Sequence, residues 1–116
     1  MNLTRFSGAP QYFPDEHFLM SCVRLQGREA GPAESLWVGV STIEPGGYTS
    51  MDASPLEKHY MVLEGEVCVR TNEGEVTMGR FDSCRLAPGE ARALHNRTER
   101  PAMLLLAMPL SRPEAR

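Results

Sequence analysis

The stretch SPLEKHYMVLEGE, residues 54–66, decides how the rest of the chain is read. A charged Glu57–Lys58–His59 run passes without a break into Tyr60, Met61, Val62 and Leu63 and stops at Gly65. Aromatic and β-branched residues ended by a glycine read as a strand. The period-two geometry of a strand then sets Lys58, Tyr60 and Val62 on one face and Glu57, His59 and Met61 on the other. Residues 67–71 resume the pattern at once. RTNEGEV, residues 70–76, folds the chain back as a hairpin, with Asn72 and Gly74 the residues most tolerant of positive φ.

Working outward, glycine and proline punctuate the chain at short intervals, notably at Gly27, Gly31-Pro32, Pro45-Gly46-Gly47, Gly79, Pro88-Gly89, Pro101 and Pro109. The runs between them have strand length and strand composition. Strands are expected at about 18–25, 36–43, 48–51, 59–63, 67–71, 75–78, 83–86, 91–96 and 103–108. No window of helical length holds an apolar stripe at a 3.6-residue period. The fold class is all-β, a sandwich or barrel of short antiparallel strands.

A chain of 116 residues makes one domain with one core. A net charge of −3 leaves no basic stripe to neutralise phosphates, so nucleic acid is not an expected partner. The opening MNLTRFSGAPQYF is not built like a secretory leader, and AMLLLAM, residues 102–108, is too short to span a bilayer. Cys22, Cys68 and Cys84 are odd in number and lack C-x-x-C spacing, so they read as buried thiols in a reduced, cytoplasmic protein.

Residues 45–109 resemble the cupin family, small double-stranded β-helix barrels of two antiparallel sheets. The first cupin motif, G-x5-H-x-H-x3-E-x6-G, places its glycines on Gly46 and Gly65 without a gap, and VLEGE is typical wording for its end. The second motif, G-x5-P-x-G-x2-H-x3-N, places its later glycine on Gly89 and its asparagine on Asn96. Its proline is displaced by one to Pro88, and its first glycine is replaced by Phe81. The resemblance implies a barrel over residues 36–110. Residues 1–35 would then be an N-terminal arm packing on the barrel or on a partner subunit, and 111–116 a frayed tail.

In the same frame, the positions that hold His, His, Glu and His in the family hold Asp52, Ser54, Lys58 and Arg92. Lys and Arg are donors that stay charged near neutral pH, so they do not ligate a cation. One carboxylate and one hydroxyl are too few for a transition-metal site. No metal and no other cofactor is expected. His59 and, by the parity of Arg92, Leu94 and Asn96, His95 fall on the outer face, while no periodicity fixes His17. A metal site rebuilt from Asp52, His17 and His59 stays open as an alternative.

The inward set is then the site. Arg92 has the planar fork to hold an anion, with Ser54, Asn96 and Trp37 as further substrate-binding residues. Lys58, beside a second cation in a partly dry pocket, is the candidate acid, base or nucleophile, with Tyr60 as donor and Asp52 orienting Lys58. The competing reading is an internal Asp52–Lys58–Arg92 ion-pair triad that merely fills space. The expected function is a metal-independent enzyme of the isomerase, hydratase, decarboxylase or cyclase type on a small, oxygenated, anionic substrate. A non-catalytic binding domain and a metal enzyme with unusual ligands are the alternatives. A homodimer is expected, because outer-face apolar residues such as Met61 need cover.

Overall fold

The computed structural model describes residues 1–110; the tail expected at 111–116 lies outside them. The chain begins with a short 3-10 turn, Phe6–Gly8, and a two-residue strand, β1 (Gln11–Tyr12). Next come β2 (His17–Gln26), a second 3-10 turn at Arg28–Ala30, β3 (Leu36–Thr49), β4 (Asp52–Ala53) and β5 (Lys58–Glu64). The barrel is completed by β6 (Val67–Thr71), β7 (Gly74–Met78), β8 (Ser83–Leu86), β9 (Ala91–His95) and β10 (Ala102–Pro109). All pairings are antiparallel, in the spatial order β7-β6-β9-β3-β10-β5-β8. The path wraps into a nearly closed barrel, with β2 added along β3, β1 on β2 and β4 on β9.

The core follows the parity set by the sequence. Tyr60 and Val62 of β5, Val67 and Val69 of β6, Leu94 of β9, and Ala102, Leu104 and Leu106 of β10 are buried. The residues between them on β5, His59 and Met61, are exposed. Burying such side chains contributes about 1.5–3 kcal/mol each and holds the strands in register, because a one-residue slip would turn the apolar set to water.

Two local expectations are corrected. The runs 36–43 and 48–51 are not two strands, because β3 continues through Pro45-Gly46-Gly47. Gly46 takes φ 82 and bends the strand, while hydrogen bonds Gly46 N→Asn96 O and Asn96 N→Gly47 O, 2.9 Å each, keep it paired. In the hairpin, only Gly74 takes positive φ, at 133, and Asn72 does not. The strand expected at 18–25 is β2, which runs beside β3 of the same chain from His17↔Thr49 to Gln26↔Val38.

Candidate active site

At one end of the barrel, strand ends and the N-terminal segment enclose a cavity of about 320 Å³. β4, β5 and β9 bring Asp52, Lys58, Tyr60 and Arg92 to its wall, and β3 brings Trp37 and Ser41. Tyr12, Pro14 and Asp15, with His17 at the start of β2, line it from the N-terminal side.

Arg92 is the most unusual of these residues. It is 4% exposed, its Nε donates to the Tyr60 hydroxyl at 2.9 Å, and its Nη1 is buried with no hydrogen-bond partner. Asp52 stands opposite it in the β4–β9 register, yet among the described residues no carboxylate lies within 4.0 Å of Arg92 or Lys58. The space-filling Asp52–Lys58–Arg92 triad is therefore not formed, since Asp52 remains on the exposed rim. A buried cation without a partner is costly unless something binds it.

Burial first, and this charge second, shift the titration of its neighbours. Burial, together with the Arg92 guanidinium, pushes Lys58 down to about 8, with Asp52 acting the other way. Burial raises Tyr60, against the pull of Arg92, so its hydroxyl keeps its proton near neutral pH. His17 is lowered, chiefly by burial and further by Arg92 and Lys58.

Behind the cavity, Arg24 of β2 lies over the ring of Tyr12 at 3.5 Å and that of Trp37 at 4.1 Å, and its Nε reaches Glu29 at 2.9 Å. Tyr12 and Trp37 meet edge to face at 5.7 Å. This cation–aromatic stack fixes an apolar wall beside the charged one.

Two residues assigned to substrate binding do not line the cavity. The Ser54 hydroxyl accepts from Leu56 N at 3.0 Å and stabilises the turn before β5. Asn96 is fully buried, and its amide is spent on the 96–100 loop. Nδ2 donates to Ile43 O and Arg100 O, and Oδ1 accepts from Thr98 N and Thr98 Oγ1. The alternative metal set also fails, since His59 points outward with Nε2 3.4 Å from Glu57 Oε1. Among the described residues no three His, Cys, Asp or Glu side chains converge. At the family's own ligand positions, Lys58 and Arg92 offer only donors, so the donor set does not fit a cation.

Tyr12, Asp15 and Ser41 enter the site unannounced by the sequence, and His17, considered there only as a metal ligand, lines it as well. Strand parity fails to reach His17 because the β2–β3 register shifts between Phe18 and Met20, where Leu19 takes φ 56. A second cleft of about 380 Å³ lies at the β6–β9 edge. Within it Arg97 pairs with Glu75 at 2.7 and 3.0 Å, and Arg97 Nε lies 3.1 Å from His95 Nδ1.

Residues 39–108 match the family Cupin_2, described as cupin domain. A protein of Mycobacterium tuberculosis named beta-D-galactosidase is 46% identical over 108 residues, 93% of each chain. The polyketide cyclase RemF from Streptomyces resistomycificus superposes with a TM-score of 0.85 at 16% identity, covering 98% of this chain and 82% of its own. A cupin-superfamily sugar phosphate isomerase from Silicibacter pomeroyi matches with a TM-score of 0.71 at 26% identity, over 80% of this chain and 60% of its own.

Proposed function

The chain belongs to the cupin domain family, and from that premise we propose that it is a metal-independent enzyme acting on a sugar, with hydrolysis of a β-galactoside as its reaction. One observation carries the reading. A single cavity is lined by two aspartates, Asp15 and Asp52, together with Lys58, unpaired Arg92 and the aromatic wall of Tyr12 and Trp37. These are the parts that sugar chemistry asks for. Carboxylates accept from hydroxyls, cations and Tyr60 donate to ring and hydroxyl oxygens, and aromatic faces cover the apolar side of the ring. The galactosidase name of a relative sharing 46% of its residues supports the substrate class.

Glycoside cleavage needs a proton for the departing oxygen and negative charge near the carbon that becomes cationic. Lys58, held to about 8, is still an ammonium near neutral pH and a better acid than an ordinary lysine. The Asp52 carboxylate opposes the positive charge that develops at the anomeric carbon, and Arg92 with Tyr60 grips a substrate oxygen.

A second reading, proton removal beside a carbonyl as in an isomerase or cyclase, is favoured by the Arg92–Tyr60 pair, a ready-made donor site for an enolate oxygen. One experiment separates the two. Purified protein is given 4-nitrophenyl β-D-galactopyranoside with excess chelator, and a parallel sample is given hexose phosphates in D₂O. Nitrophenol release supports the hydrolase, and deuterium uptake at carbon supports the isomerase. Galactose binding without either reaction makes the cavity a binding site only, and activity abolished by the chelator overturns metal independence.

A further inference from the structure

We infer that His17, brought to the cavity by the N-terminal segment rather than by the barrel, is the general base of the reaction, and that Glu16 and Ser50 form the clasp that aims it. The inference rests on the enzymatic reading above and adds the group that this reading lacks, an acceptor for the proton of the attacking water.

The ring chemistry is fixed by one contact. His17 Nδ1 lies 2.7 Å from the Asp15 carbonyl oxygen. A carbonyl can only accept, so Nδ1 carries the proton and Nε2 keeps its lone pair. The ring borders the cavity that holds Lys58, Asp52 and Arg92, so Nε2 is the nitrogen left for a bound molecule. Lys58 from β5, Arg92 from β9 and burial all oppose protonation, while Asp52 from β4 and the Asp15 carbonyl favour it. The balance lies below the ordinary histidine value, which keeps the ring neutral and basic near pH 7.

The backbone around His17 is held rather than relaxed. Glu16 takes φ 59 and Leu19 φ 56, left-handed conformations disfavoured for residues with a Cβ. Ser50 secures Glu16 twice, through Ser50 N to Glu16 O at 3.1 Å and Ser50 Oγ to Glu16 Oε1 at 2.6 Å. Strain over-determined by neighbours is the usual sign of a residue aimed for a purpose. In the hydrolytic step, water gives a proton to Nε2 as its oxygen bonds to the anomeric carbon. The bond from that carbon to the departing oxygen breaks, that oxygen takes the Lys58 proton, and the two side chains re-equilibrate through solvent.

The test uses the full chain. Long-range ¹H–¹⁵N spectra should show His17 as the Nδ1–H tautomer at pH 7 and titrating below an ordinary histidine. With 4-nitrophenyl β-D-galactopyranoside, His17→Gln should lose about 10²-fold or more in kcat and the acidic limb of its pH profile. Its KM should stay within about threefold. Ser50→Ala should lower kcat by about tenfold and move that limb toward the ordinary histidine range, a shift that a merely structural contact would not produce. An Nε2–H tautomer, or wild-type kcat in His17→Gln beside an active wild type, overturns the assignment of His17 alone. A wild type inactive toward the galactoside overturns the hydrolase reading, and this step with it.

Discussion

Arg92 Nε and Tyr60 Oη lie 2.9 Å apart across the barrel mouth, and this is the only hydrogen bond that the Arg92 side chain makes among the described residues. A guanidinium carries five donors, so most of its capacity is uncommitted in the protein alone. That surplus makes Arg92 a binding residue rather than a structural one, and it has a measurable consequence.

Arg92→Met should weaken galactoside binding about tenfold or more, seen as a raised KM with a smaller change in kcat, because the contact exists in ground and transition states alike. Its unfolding free energy should equal or exceed that of the wild type, since an apolar side chain does not incur the desolvation of a buried charge without an ion-pair partner. Urea unfolding decides the point. A loss of several kcal/mol would mean that Arg92 is paired.

Lys58 predicts a pH dependence with a definite sign. Its folded value of about 8 lies below the ordinary lysine value of 10.5, so between the two the unfolded chain binds more protons. Stability should therefore rise as pH climbs from about 8 toward the ordinary lysine range, and fall back as pH drops through 8. Lys58→Met should flatten that segment of a Tm-against-pH curve. In kinetics, the wild-type rate should fall above pH 8, and Lys58→Met should lose about 10²-fold in kcat. Lys58→Arg should not restore it, because a guanidinium does not release its proton at working pH.

Asn96 and Ser54 should separate structure from binding. Asn96→Ala strips partners from Ile43 O, Arg100 O and Thr98 N and should cost about 2–4 kcal/mol in chemical denaturation. Ser54→Ala should leave KM within about twofold, since its hydroxyl serves a turn outside the cavity. A large rise in KM for Ser54→Ala would return that residue to the site.

Exposed aromatic surface predicts assembly. Phe18 and Tyr48 stack at 4.8 Å on the outside of the β2–β3 pair while 41% and 45% exposed, next to Leu19 at 63%. A homodimer that covers this patch is expected by light scattering at micromolar concentration. Phe18→Lys should shift it to monomer, and a wild-type monomer would contradict the expectation.

The legible part of this protein is the part governed by parity. Lys58, Tyr60 and Val62 share a face because strands alternate, and the same rule places Arg92 and Leu94 inside and His59 outside. Parity says nothing about which end of the barrel an inward residue serves. Asn96 is inward yet away from the cavity for that reason, as it bonds Ile43 and the 96–100 loop. Ser54 precedes β5, where alternation does not apply. Tyr12 and Asp15 were not legible, and His17 could be named but not oriented, because they reach the cavity from a segment whose register is broken at Leu19.

The segment 12–17 has a further bearing, on how such proteins diverge. The cupin match spans residues 39–108, yet Tyr12, Pro14, Asp15 and His17 line the cavity from outside that span. The barrel supplies Lys58 and Arg92, and a few residues ahead of the matched span complete the cavity wall. Exchanging those residues between relatives would alter the cavity wall while leaving β3 to β10 untouched. The first seventeen residues are therefore the place to graft when a new specificity is wanted.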